Sequence, residues 1–137
     1  FHMNNITAAI GLSQIPHMDK IIQAHIDRGL LYEELFSEHK DINGLHYPAD
    51  SVPSFWVYTL ILSEHLDRDK IIQELNDEGI NAGLVHTPNH YYSCFKDSMV
   101  DLPETDYFHK HQISLPCGWW LSKDDVKFIA ERLISKI

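Results

Sequence analysis

Cysteine is nearly absent from this chain: Cys94 and Cys117 are the only two, with no CxxC spacing and no companions. Neither a zinc knuckle nor a disulfide framework is indicated, which suits a reducing compartment such as the cytoplasm. Long apolar runs are missing as well. No stretch approaches the roughly 20 residues that span a bilayer, and no basic-then-apolar leader opens the chain, so no membrane partner is expected. Basic residues are scarce. Eleven Lys+Arg stand against 20 Asp+Glu, for a formal charge of −9, and that balance argues against nucleic-acid phosphates as the main partner. At 137 residues, 44% of them hydrophobic, the chain has the size and composition of one ordinary domain. An initiator methionine is also lacking, since the chain opens Phe1-His2-Met3, and a fragment of a longer protein is expected.

Residues 4–38 form the longest patterned stretch. Ile15, Met18, Ile22, Ile26 and Leu30 recur at the spacing of one apolar helix face, and charged residues fill most of the remaining surface. Pro16 lacks an N–H and crowds the carbonyl one turn back, so a kink or restart is expected near residues 13–16. Ahead of it, Ile6, Ala8, Ala9, Ile10, Gly11 and Leu12 carry no charge. A helix apolar all round calls for cover on more than one side.

Farther along, Asn43-Gly44 signals a turn, residues 45–47 allow a short strand, and residues 48–53 are loop. Residues 54–62 (SFWVYTLIL) predict a strand central in a sheet, with Trp56 and Tyr58 in its core. Asp67 caps a helix that ends at Gly79, and residues 80–86 predict a returning strand. Pro103 and two acids open a helix over residues 102–110, with Tyr107 and Phe108 turned to the core. Residues 112–115 predict a third strand. Ser122 and Asp125 form an acidic capping box for a last helix with Val126, Ile129, Leu133 and Ile137 on its apolar face. The pattern predicts a mixed α/β (α+β) sandwich: a long kinked N-terminal helix and a small sheet covered by helices.

Ten histidines invite a metal reading. His86 and His90 have the four-residue step of a helical metal pair, but Pro88 between them rules out that helix. Structural or surface roles are expected for the histidines, and no metal. Cys94 and Cys117 read as buried thiols. Trp119-Trp120 reads as packing at a turn.

Five stretches, in order, resemble the DegT/StrS-type (DegT/DnrJ/StrS) nucleotide-sugar aminotransferases. Met3-Asn4-Asn5-Ile6-Thr7-Ala8-Ala9-Ile10-Gly11-Leu12-Ser13-Gln14 is similar to that family's RMxxIQAAIGLAQL segment, and Ser54-Phe55-Trp56-Val57-Tyr58 to its S-x-W-x-Y strand. Val85-His86-Thr87-Pro88-Asn89-His90 resembles the V-H-Y-P-P-x-H loop. Ser114-Leu115-Pro116 and Leu121-Ser122-Lys123-Asp124-Asp125-Val126 resemble the closing SLP and LSxEDV motifs.

The resemblance implies the last third of a fold-type I transferase dependent on pyridoxal phosphate (PLP). Residues 1–38 would be a linking helix and residues 39–137 a small C-terminal domain with a mainly antiparallel sheet. It implies transfer of an amino group, usually from glutamate, to a nucleotide-linked keto-sugar, and a homodimer or a self-associating fragment is expected. The cofactor acts as electron sink and a lysine anchors it. That lysine lies upstream in the family, so no catalytic residue is assigned here, and the fragment alone is expected to be inactive. His86, Asn89 and His90 match the loop bordering the sugar-nucleotide pocket and are assigned to substrate binding. Thr87 and Asn89 depart from the family's tyrosine and proline. His2 stands where the family usually has arginine, beside a phosphate-contacting position that falls just ahead of Phe1, and is assigned to the cofactor. Two alternatives stay open: a relative that dehydrates the sugar, with histidine in place of the lysine, and a free-standing binding module.

Overall fold

The computed structural model describes residues 2–98 and 100–137. Phe1 lies outside them. Helix α1 (Asn5–Gln14) begins at Asn4, whose side-chain oxygen accepts the Thr7 N–H at 2.9 Å. A 3₁₀ turn over Ile15–His17 follows, with Pro16 inside it, and α2 (Met18–Phe36) restarts the helix. The expected break therefore falls where proline removes a backbone donor.

The helix buries residues other than its regularly spaced apolar stripe. Tyr32, Phe36 and Gly29 are the buried residues of α2, while Ile15, Met18, Ile22 and Leu30 remain exposed. The centres of the two sets lie roughly a sixth of a turn apart around the helix. Tyr32 and Phe36 stack with ring centroids 5.8 Å apart, and Tyr32 stacks on Tyr58 of the sheet at 4.8 Å. The Tyr32 hydroxyl, buried among these rings, donates to the Pro116 carbonyl at 3.0 Å. No described residue of helix α1 is buried: Ile6 and Ile10 are 75% and 59% exposed, and Met3 just ahead of the helix is 73% exposed.

Three antiparallel strands make the sheet in the order β1 (Ile42–Gly44), β2 (Tyr58–Leu62), β3 (Gln112–Leu115). The first strand comes earlier than expected. Asn43-Gly44 pairs with Leu60 and Ile61 instead of turning, and residues 45–47 are irregular. The central strand is shorter than the apolar run 54–62, because a bend at Trp56-Val57 interrupts it. Trp56 is 63% exposed, so only Tyr58 of the expected core pair is in the core. The register sets Tyr58 against Leu115 and Leu60 against Ile113, which puts these four side chains on one face of the pleat. Ile71 and Leu75 of α3 (Arg68–Asp77) and Val126, Ile129 and Leu133 of α5 (Lys123–Ile134) join the same buried cluster with Tyr32 and Phe36.

Residues 80–86 do not form the expected strand. They touch β3 through a single bridge, Gly83 to Ser114. The Ala82 carbonyl is taken by the Asn76 side-chain amide at 2.9 Å, so the segment is tied to α3 instead of extending the ladder. Helix α4 (Pro103–His111) forms as expected, but it buries His111 and leaves Tyr107 exposed. Arg68 secures its end, one guanidinium nitrogen donating to the carbonyls of His109 and Gln112 at 2.9 and 3.1 Å. The capping box of α5 is complete, with Asp125 N–H donating to Ser122 Oγ and Ser122 N–H to Asp125 Oδ2. Gly79 ends α3 in the left-handed region at φ +82°, where glycine carries no Cβ penalty.

Candidate functional site

The loop after residue 85 is built around a buried proline. Pro88 is buried and extended, and Asn89–Tyr91 then turn as a 3₁₀ helix closed by the Tyr91 N–H on the Pro88 carbonyl at 3.0 Å. His86 and Asn89 are exposed. The His86 carbonyl accepts the side-chain amide of Gln112 at 3.4 Å, which ties the start of the loop to β3 and leaves its imidazole outward.

His90 behaves differently. Its side chain is only 11% exposed and its Nε2 lies 2.8 Å from Asp106 Oδ1 on α4. The Tyr91 hydroxyl donates to the same oxygen at 2.9 Å. Tyr91 also meets His90 and His109 edge-on, at 4.7 and 5.4 Å between centroids. Hydrogen bonds from Tyr91 and then His90 hold the Asp106 carboxyl below the usual carboxylate range. The same bond raises the Tyr91 phenol above its ordinary value. His109 Nδ1 is buried without a partner among the described residues. Beside this cluster is a cleft of about 320 Å³ lined by Asn89, His90, Phe95, Leu102 and Thr105 among others.

Asp106 and Tyr91 were not singled out from the sequence. Asp106 read there as one of the acids that favour a helix N-terminus, and nothing in a linear pattern reveals that it faces a histidine sixteen residues earlier. His2 is exposed, and no hydrogen bond or ion pair joins it to residues 86–90 among the described residues. The two parts of the expected site are thus not brought together within this chain.

A second concavity, about 730 Å³, runs along Gly83-Leu84-Val85 and Pro116-Cys117 and is walled by Trp56, Trp120 and Phe128, all exposed. Trp119 is exposed as well, while Trp120 lies over Gly118 and meets His25 edge-on at 5.9 Å, so the turn at residues 117–121 packs its indoles only in part. Of the two thiols, Cys117 is buried as expected. Its pKa is pushed up to about 12 by burial. Cys94 lies exposed on the 3₁₀ segment Ser93–Ser98.

The model of the DegT/DnrJ/EryC1/StrS aminotransferase family matches residues 1–134. The chain belongs to this family. The UDP-4-amino-4,6-dideoxy-N-acetyl-beta-L-altrosamine transaminase of Helicobacter pylori is 25% identical over 138 residues, covering 98% of this chain and 37% of that protein. The GDP-perosamine synthase of Vibrio cholerae is 27% identical and covers 94% and 36%. Among solved structures, the sugar aminotransferase CalS13 of Micromonospora echinospora superposes with a TM-score of 0.92 at 28% identity, over 100% of this chain and 36% of that one. The Streptococcus pneumoniae protein Spr1654 in its PLP form superposes at 0.87 with 26% identity, over 98% and 36%. The chain therefore spans a little over a third of the relatives it matches.

The DegT/DnrJ/EryC1/StrS aminotransferases depend on PLP, and the residues present can be tested against that group. A Schiff-base lysine must shed its proton, through desolvation or a neighbouring cation. Seven of the eight lysines are exposed. The eighth, Lys136, is side-chain buried but is engaged in ion pairs with Glu74 and Glu78 at 3.6 and 2.7 Å. Among the described residues no lysine has the desolvated, unpaired setting that the Schiff base of PLP needs.

Proposed function

We propose that this chain is the linking helix (residues 1–38) and small C-terminal domain (residues 39–137) of a PLP-dependent enzyme. That enzyme moves an amino group from glutamate to a keto-sugar carried on a nucleotide. The observation that carries this reading is the match to the family over residues 1–134, supported by relatives named for nucleotide-sugar amination. The lysine and the phosphate cradle belong to the remainder of such an enzyme. Within this chain, residues 86–90 border the sugar, with His90 lining the cleft and His86 and Asn89 at its exposed rim. His2 reaches the cofactor only when a second subunit supplies the rest of that site.

The fold supports the homodimer physically. Each large apolar side chain left in water forgoes about 1.5–3 kcal/mol of burial; Ile6, Ile10 and Leu12 are exposed on a helix with no buried residue among those described, and Met3 is exposed just ahead of it. Such a patch marks an interface.

Incubating the chain with PLP, reducing with borohydride and mapping adducts by mass spectrometry tests the division of labour. Scattered substoichiometric labelling is expected. A stoichiometric adduct on one lysine refutes it. Reading the gene upstream of residue 1 for the cofactor lysine, or for a histidine in its place, separates amination from dehydration.

A further inference from the structure

The geometry points to Asp106 as the positioning residue of His90: it holds the imidazole proton on Nε2, so that the ring offers Nδ1 to a ligand as a hydrogen-bond acceptor. This rests on the reading of residues 86–90 as the border of the sugar site, and it narrows what that border can recognise. Asp106 Oδ1 is 2.8 Å from His90 Nε2 and 2.9 Å from the Tyr91 hydroxyl. An ionised carboxylate only accepts, and Asp106 is held below the usual carboxylate range, so both neighbours must donate to it. In the neutral ring the proton then sits on Nε2 and the lone pair on Nδ1. Among the described residues Nδ1 has no hydrogen-bond partner, and it is not among the atoms buried without one. The ring lines the cleft shared with Asn89, Phe95 and Thr105.

An acceptor there complements a hydroxyl or amide N–H and does nothing for a phosphate oxygen, which needs a donor. The expected contact is thus a sugar hydroxyl or acylamino group, not the diphosphate. Orientation is fixed from two sides, because Tyr91 shares the carboxylate and closes on the ring edge-on. Metal-binding histidines rely on the same device, a carboxylate that fixes the tautomer from behind, but here among the described residues no cluster of metal-ligating side chains is present.

The test is made on the 137-residue chain by nitrogen-15 NMR of its imidazoles. His90 is expected to carry a single N–H, on Nε2, protected from solvent exchange. Asp106→Ala should speed that exchange roughly ten-fold or more, the equivalent of one charge-assisted hydrogen bond, while Asp106→Glu restores protection and Tyr91→Phe keeps it. Equal exchange in wild type and Asp106→Ala, or a proton on Nδ1, overturns the assignment. Titration with UDP-N-acetylglucosamine and, separately, UDP supplies the second readout. A shift of His90 Nδ1 with the sugar nucleotide alone supports the hydroxyl contact, and equal shifts with both overturn it. No shift with either removes residues 86–90 from the sugar site while leaving the Asp106 result to stand on the exchange data.

Discussion

Gly29→Ala is a mild change on any helix and should be damaging on this one. A Cβ built on Gly29 falls inside the ring of Phe55, closer than real contacts occur. Phe55 has little room to yield. Its backbone is in the left-handed region at φ +44°, its carbonyl faces His25 Nδ1 at 3.0 Å, and its ring lies 6.1 and 6.3 Å from those of Tyr58 and Tyr47. Alanine would return about 1 kcal/mol of helix propensity. Against this, forcing the ring aside sacrifices two aromatic contacts of about 0.5–1.5 kcal/mol each and part of its burial, about 1 kcal/mol or more. The expected net loss is about 1–3 kcal/mol, the usual range for overpacking. Urea denaturation followed by circular dichroism should show a midpoint lower by about 1 M with an unchanged slope. The decisive variant is the double substitution. With Phe55→Ala in place the obstruction is gone, and Gly29→Ala should then stabilise, so the coupling changes the sign of the effect. A Gly29→Ala protein as stable as wild type, or one equally destabilised with and without Phe55, refutes the reasoning.

Glu78 is held at about 2, below its ordinary 4.5, first by hydrogen bonds from Arg132 and then Lys136. A carboxylate depressed on folding stabilises above its ordinary value and loses that contribution as pH falls through the folded value. Acid unfolding should therefore steepen between about 4.5 and 2, and Glu78→Gln should flatten it. Ellman's reagent should titrate one thiol, Cys94, in the folded chain and two in denaturant, since Cys117 is buried with a pKa near 12; two fast thiols in the folded state would contradict that burial. Sedimentation over a concentration series should show reversible self-association that Ile10→Glu abolishes; a monomer at every concentration would show that exposed α1 is no interface.

Local chemistry was readable where it is local. Pro16 and the Ser122/Asp125 box act within one helical turn, and sequence spacing places the 3₁₀ break and the α5 start directly. Periodicity found an apolar stripe on residues 15–30 but not the face that meets the sheet, because a repeat reports that a face is apolar and not what covers it. Tyr32 and Phe36, the residues that meet the sheet, share a stripe with Gly29, a glycine that looks like a defect until Phe55 is seen against it. The strand expected at residues 80–86 failed because a side chain, Asn76, took the Ala82 carbonyl. The irregular course of residues 86–90 around Pro88 was legible as a loop. Its anchor was not, since the partnership of His90 with Asp106 depends on how α4 docks.

The sheet's two margins bear on how copies of this chain can meet. At one margin, β3 already gives backbone bonds to Gly83 through Ser114. At the other, β1 is three residues long and ends in Asn43-Gly44. Short, glycine-bearing or covered margins are poor templates for adding a foreign strand. Crowded copies therefore have little chance of zipping sheet to sheet into an open-ended fibre. The proposed homodimer would instead use the uncharged helix ahead of Pro16, a surface that two chains could bury against each other and thereby close off.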